Sequence, residues 1–234
     1  MAEHFDLGRL ATVWKLAAAI GSVGSVCLLV GCSPGANSSQ PTKADIAKIL
    51  DVKSSFGPEF KVTDVTPRAI DPQFFASRKL PEGLTFDPAN CAKAAAGPEL
   101  PPGLQGNMAA VSAEGNGNRF VVIGLETSQA LPINDPGKDC AKVGFSGAQL
   151  RGAIEVIDAP HIDDVHTQAV HRVLQALVAG AARTGELYDY SAQFGDYQVI
   201  VIANPLVVPG QPVAKVDTQR ARDLLVKAVG AVRS

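Results

Sequence analysis

Three histidines and two aspartates form the densest group of potential metal ligands in the sequence: His161, His166, His171, Asp163 and Asp164. Imidazole and carboxylate groups could bind zinc and activate a water molecule for hydrolysis. The five-residue spacing puts neighbouring histidines on opposite faces of a strand, or about 140° apart around a helix, so neither element brings all three together. We therefore predict no metal site and interpret these residues as solvated or hydrogen-bonded, with a metallohydrolase kept as an alternative.

Other catalytic patterns are absent from the sequence. It contains no Gly-x-Ser-x-Gly elbow, no His-Glu-x-x-His motif and no phosphate-binding glycine loop. We therefore predict neither an enzyme nor a cofactor.

Three tyrosines offer a different kind of chemistry. Tyr188 and Tyr190 alternate onto one face of a predicted strand, and Tyr197 could join them across a tight turn. An aromatic strip of this kind either lines a ligand groove or packs in the core beneath a helix. Both interpretations stay open, and the ligand-binding residues remain unidentified.

The motif Leu29-Val30-Gly31-Cys32 has the form of a bacterial lipobox. The apolar run before it, residues 16–30, has the length of a signal-peptide core and is shorter than the roughly 20 residues of a spanning helix. We predict a signal peptide at residues 1–31 and a lipid, with palmitate, on Cys32. The protein would then be exported and anchored to the outer face of the cell membrane. A soluble protein with a cleaved leader is the alternative.

Two cysteines remain after Cys27 in the leader and the lipidated Cys32 are set aside: Cys91 and Cys140. In an oxidising compartment outside the cell membrane, such a pair most often forms a disulfide. Two thiols are too few for a structural zinc site without histidine ligands. We therefore predict a disulfide between Cys91 and Cys140.

Charge limits the classes of partner. The 21 basic residues are balanced by 23 acidic ones, and the pI is about 6.1. Nucleic-acid binding would require a basic excess, so we predict no nucleic-acid partner. The predicted partners are the membrane, through the lipid anchor, and a small-molecule or protein ligand of the envelope.

The mature chain divides into a tether and one domain. Residues 32–42 are rich in Ser, Pro, Gly and Asn and predict a flexible tether. Residues 43–234 are then a single domain. It begins with a short helix at residues 43–51, for which Thr42 and Asp45 resemble a capping box. A second short helix, capped by Asp87, is predicted to end before Gly97.

Strand patterns dominate the rest of the domain. Two apolar segments flank Gly115-Asn116-Gly117-Asn118 and predict a hairpin, and further strands are predicted at residues 150–157, 182–193 and 197–203. Residues 166–178 have helical periodicity, but the strands that follow favour a strand there. Asp217 would cap a C-terminal helix with an apolar face. The predicted fold class is α+β, an antiparallel sheet of about five or six strands packed by the C-terminal helix and short N-terminal helices.

Several of these segments also carry a resemblance. Cys140, residues 152–158, Thr167-x-Ala169-x-His171-Arg172 and residues 195–205 resemble a group of uncharacterised mycobacterial cell-envelope lipoproteins. More distantly, they are similar to the extracellular sensor domain of the mycobacterial kinase PknH. The resemblance covers about the C-terminal half of the mature chain. It implies an α+β domain in the cell envelope, favours a strand at residues 166–178 and brings no catalytic residues.

Three functions are consistent with the sequence. The first is a membrane-anchored lipoprotein whose domain binds a ligand or partner without catalysis. The second is a carrier of a lipid or another apolar molecule, which requires an internal apolar cavity. The third is the metallohydrolase that would use the His/Asp cluster.

Overall fold

The computed structural model describes residues 44–234 except 72–73, 75–79, 98, 179–180 and 209. The predicted signal peptide, the tether and Cys32 lie outside the described residues. No helix among the described residues is long and apolar enough to cross a membrane.

The described residues form one antiparallel sheet of nine strands in the order β1-β3-β4-β9-β8-β7-β6-β5-β2. The strands are β1 (Lys61–Ala69), β2 (Thr85–Asp87), β3 (Gly106–Gly115), β4 (Asn118–Thr127), β5 (Lys142–Ser146), β6 (Leu150–Ile157), β7 (His166–Val178), β8 (Ala181–Phe194) and β9 (Tyr197–Pro205). A large antiparallel sheet with a C-terminal helix confirms the predicted architecture. The predicted number of five or six strands is wrong, because β2 and β5 are too short to show a period of two clearly and β1 contains Pro67 in a segment that prolines interrupt.

The hairpin of β3 and β4 forms where the sequence predicts it. Gly115 pairs with Asn118, so the turn consists of Asn116 and Gly117, with φ angles of 50° and 72°. Asparagine and glycine tolerate this left-handed backbone, which matches the twist of the two strands. The side-chain amide of Asn118 donates to the carbonyl oxygen of Lys215 at 3.3 Å and links the hairpin to the segment before the last helix.

Residues 166–178 are a strand, as predicted. Strand β7 pairs along its length with β8 on one side and with β6 on the other. Because β7 lies inside the sheet, its backbone N–H and C=O groups form hydrogen bonds with strands on both sides. This tertiary context outweighs the helical spacing of its apolar residues.

Two helices cover one face of the sheet, which we call the helix face. Helix α2 (Thr218–Arg233) begins at Asp217, whose carboxylate accepts from the backbone N–H of Arg220 at 2.9 Å, as predicted. A 3-10 helix, Ile46–Ser55, lies beside it. Their buried side chains pack on strand residues that include Val122, Tyr190 and Val201. This cluster is the main core.

The two short helices near the N-terminus differ from the prediction. Asp45 itself caps the first of them, since its carboxylate accepts from the backbone N–H of Ala47 at 2.8 Å, and the helix is of the 3-10 type and starts at Ile46. The predicted cap at Asp87 is wrong, because Asp87 ends strand β2 and pairs with Gly144. A 3-10 turn at Ala89–Cys91 then leads into helix α1, Ala92–Ala96.

The opposite side of the sheet, which we call the pocket face, carries two smaller apolar clusters. One contains Ile123, Leu125 and Ile200 from the centre of the sheet. The other contains Cys91 and Ala95, which pack on residues of β5 and β6. Helix α1 therefore covers part of this second face.

Candidate ligand-binding pocket

A cavity of about 180 Å³ opens on the pocket face above strands β7, β8 and β9. Residues from all three strands form its floor. The end of α1 and the loop that follows β4 form its other walls, with Ala96 and residues 131–134 among the lining. The pocket is therefore on the side of the sheet away from helix α2.

Strand register explains why the floor is polar. Gln193 of β8 pairs with His166 on one side and with Gln198 on the other, so these three side chains form one row across the sheet. Ser191 lies in the next row, between Gln168 and Ile200. Because alternate residues of a strand face opposite sides, the intervening residues of β8 and β9, Ala192 and Val199, belong to the main core.

Two charged side chains lie deeper on the floor. Asp189 is only 8% exposed and pairs with Val170, while Arg172 is two residues further along β7 on the same face. This diagonal placement brings long side chains of neighbouring strands within reach of each other. Both residues take part in interactions within the fold, as a buried charge requires. The floor therefore combines a basic and an acidic group.

Side-chain amides hold the loop over the pocket, which we call the roof (residues 131–134). The Nε2 amide of Gln168 donates to the carbonyl oxygen of Asn134 at 2.7 Å, and that of Gln193 donates to the carbonyl oxygen of Leu131. The amide of Asn134 in turn donates to the carbonyl oxygen of Ala94 in α1 at 3.1 Å. The roof is thus fixed both to the sheet and to α1.

The two cysteines of the domain meet beside α1. The Sγ atoms of Cys91 and Cys140 are 2.02 Å apart, at bonding distance. Cys91 is fully buried and packs with Ala95, Val143 and Phe145. A bond between the two sulfurs would tie the start of α1 to the segment before β5, and α1 is also the helix that Asn134 contacts.

The three histidines lie in different environments. His161 is in an exposed loop, where its Nε2 atom is 3.2 Å from Oδ1 of Asp163. His166 lies at the edge of the pocket, and His171 lies on the helix face, stacked on Tyr188 with ring centroids 4.3 Å apart. His166 and His171 are therefore on opposite faces of β7, as their spacing predicts.

None of these residues forms a group suited to a metal. In the part of the chain that the structure describes, no three His, Cys, Asp or Glu side chains converge in this way. The carboxylate of Glu186 is 3.2 Å from Nε2 of His171, so that histidine has a partner of another kind.

The tyrosine strip packs in the core beneath helix α2. Tyr190 is 2% exposed, and Tyr188 and Tyr197 pack against the same cluster. Burial raises the pKa of Tyr190, while the nearby Arg222 opposes the rise. Burial also raises the pKa of Tyr197, and so does Glu126, whose carboxylate accepts from the tyrosine hydroxyl at 3.2 Å. The strip does not line the pocket.

Sequence reasoning missed the pocket residues. Gln168, Arg172, Asp189 and Ser191 occupy alternate positions of β7 and β8 and have the pattern of an ordinary solvent-facing side of a strand. Arg172 and Asp189 gave little signal, because the same strands also carry His171, Arg183 and Glu186.

The observed architecture defines a class: a single-sheet α+β domain with a helix-covered core on one face and a polar pocket on the other. The chain belongs to the family described as "Domain of unknown function (DUF5642)", which matches residues 45–233. None of the curated proteins compared with the chain matches it.

Two solved structures are similar to this chain. One is the X-ray structure of an uncharacterised protein of Mycobacterium smegmatis, an Rv0999 ortholog, with 56% identity and a TM-score of 0.77 over 82% of this chain and 99% of that one. The other is the extracellular domain of PknH from Mycobacterium tuberculosis, with 15% identity and a TM-score of 0.36 over 86% and 100% of the two chains. The predicted mycobacterial resemblance is confirmed, and the second likeness is too remote to support an argument about function.

Proposed function

We propose that this protein is an exported lipoprotein, anchored to the outer face of the cell membrane through Cys32, whose domain binds a small polar ligand without catalysis. The observation that carries the proposal is the pocket above β7, β8 and β9. Its floor holds two charged groups, Arg172 and Asp189, and its roof is fixed by two glutamine side chains. A concave site with a few convergent polar groups and an ordered wall is typical of ligand binding.

The anchor rests on the sequence. Leu29-Val30-Gly31-Cys32 follows an apolar run of signal-peptide length, and the tether after it would let the domain stand off the membrane. The Cys91–Cys140 disulfide belongs to the same proposal, because it requires an oxidising compartment.

A carrier of an apolar molecule receives less support. Such a carrier requires an apolar space inside the domain, and the layer between the sheet and α2 is filled by buried side chains that include Phe120, Leu225 and Val229. The cavity on the pocket face has a volume of about 180 Å³ and a largely polar floor.

The test is mass spectrometry of small molecules that copurify with the full-length protein from its native membrane. Two variants are compared with the wild type: Gln198→Trp, which places a large ring in the pocket, and Gln219→Trp, an exposed position on α2. We expect a polar molecule with the wild type and with Gln219→Trp that is lost with Gln198→Trp. Equal recovery from all three proteins would show that the pocket is not the binding site.

A further inference from the structure

The charges of the pocket lining cancel. Among the lining residues that the structure describes, Arg172 is the one fixed cation and Asp189 the one carboxylate. A phosphate or another anion would need a cationic excess for favourable binding, and a divalent cation would need an acidic excess. The balance favours a ligand with no net charge.

The remaining polar groups suit hydroxyl groups of a ligand. The Ser191 hydroxyl donates to the carbonyl oxygen of Gln168 at 3.5 Å and retains acceptor capacity, while the amide of Gln198 carries both donor and acceptor capacity. Ile200, which is 3% exposed, lies in the same row as Ser191 and supplies an apolar surface beside them. A sugar ring has this combination, with an apolar C–H face and an edge of hydroxyl groups.

The size of the cavity limits the ligand to one ring. A volume of about 180 Å³ is small for a ligand pocket and suits a compact ligand of about one ring.

The first described residues lie at the end of the sheet where Gln193 is located, but on the helix face, opposite the pocket. The backbone N–H of Asp45 donates to the carbonyl oxygen of Val232 at 2.9 Å, and the guanidinium carbon of the next residue, Arg233, is 5.9 Å from the ring centroid of Phe194. Phe194 directly follows Gln193 of the pocket floor.

We propose that the pocket binds a single neutral sugar ring, either as a free sugar or as the headgroup of a glycolipid in the membrane that holds the anchor. This inference rests on the proposed ligand-binding function and names the ligand class for the same pocket. The two sources share one chemistry, and a single experiment with two arms distinguishes them.

The experiment uses the full-length protein reconstituted in phosphatidylcholine vesicles, prepared with a detergent that contains no sugar. In the first arm, methyl glycosides of glucose, galactose, mannose and arabinose are added. In the second arm, the vesicles contain about 5 mol% monoglucosyl or monogalactosyl diacylglycerol. Glycolipid molecules then outnumber protein molecules. The readout is hydrogen exchange of the roof amides of Leu131, Ile133 and Asn134, because a bound ligand stabilises the native state in which the roof covers the pocket.

The proposal predicts that at least one sugar slows roof exchange about tenfold at saturation. Gln198→Leu removes one hydrogen-bonding group and should need about threefold to tenfold more sugar for the same effect. Gln219→Leu is the matched control and should behave as the wild type. Protection by the glycolipid but by no free glycoside would identify the membrane as the source, and protection by a free glycoside but not by the glycolipid would identify a free sugar.

Two outcomes would overturn the inference. If no glycoside and no glycolipid changes roof exchange while a copurifying molecule is still lost with Gln198→Trp, the pocket binds a ligand of another class and the proposed function stands. If the copurifying molecule is also insensitive to Gln198→Trp, both proposals fail.

Discussion

The side-chain amide of Gln168 donates to the backbone carbonyl oxygen of Asn134 at 2.7 Å, so a residue of the pocket floor also holds the pocket roof. Asn134 passes this restraint on to α1 through its own amide, which donates to Ala94. Sheet, roof and helix are therefore joined by a short series of hydrogen bonds around the cavity.

Gln168→Leu should loosen the roof while leaving the sheet intact. The substitution removes one hydrogen bond to a backbone carbonyl, worth about 1 kcal/mol, so exchange of the amides in residues 131–134 should become about fivefold faster. Gln175→Leu is a suitable control, because Gln175 is on the same strand and its hydrogen bonds are to Arg151 and Thr184, away from the roof. Equal exchange rates in the two variants would argue against this role of Gln168.

Loss of the disulfide should lower stability strongly. Cys91 and Cys140 are separated by 49 positions in the sequence, and a loop of that length corresponds to about 4 kcal/mol in the chain-entropy account, as an upper guide. Urea unfolding of the Cys91→Ala/Cys140→Ala variant against wild type measures the change. Two free thiols in the exported, unreduced wild-type protein would refute the bond.

Replacing His161, His166 and His171 together by glutamine should leave the domain folded. The first two side chains are exposed, so loss of the His161 contact with Asp163 should cost little, and the main loss is that of His171 with Tyr188 and Glu186, worth about 1 kcal/mol. Thermal melts with and without zinc or a chelator test the metal alternative. A zinc-dependent rise in melting temperature that vanishes in the triple variant would support the metallohydrolase.

Tyr190→Phe should make the protein less sensitive to alkali. Burial raises the pKa of Tyr190 above the value of about 10 expected in the unfolded chain, so the native state favours the neutral phenol. Its stabilising effect is fully present below about pH 10 and is lost as the pH rises through the raised pKa. Urea midpoints measured from neutral pH upwards should therefore fall less steeply above about pH 10 in the variant than in the wild type. The same slope in both proteins would contradict the assignment.

Cys32→Ala should abolish acylation and release the protein from the membrane. A single cysteine carries the predicted anchor, and no other lipidated residue is proposed. Detergent-phase partitioning of cells that express the variant provides the measurement, with Cys27→Ala as the control because Cys27 lies within the leader. Unchanged partitioning of Cys32→Ala would remove the basis of the anchor.

Sequence patterns were sufficient for much of the fold. The hairpin turn at Asn116 and Gly117, the cap at Asp217 and strand Leu150–Ile157 are local signals, and each forms where it is predicted. Strands β2 and β5 were missed because three and five residues are too few for a reliable period. The cap predicted at Asp87 failed because pairing with β5 holds that residue in extended backbone, a contact between distant segments.

The pocket was harder to predict for a similar reason. Its floor is polar only along alternate residues of three strands, and its roof comes from a loop that has no secondary structure of its own. Which alternate residues are exposed to water and which are covered depends on where α1 and the roof lie. Single-sequence patterns do not contain that information.

Strands β7, β8 and β9 form a single layer of backbone that separates the main core from the pocket. Along this layer, adjacent residues such as Ser191 and Ala192 have different surroundings, since the first lines the pocket and the second is buried beneath α2. Relatives could therefore acquire new specificities through substitutions at every second position while the scaffold stays unchanged. In saturation mutagenesis of these strands, substitutions that impair folding should then alternate along each strand with substitutions that impair only binding.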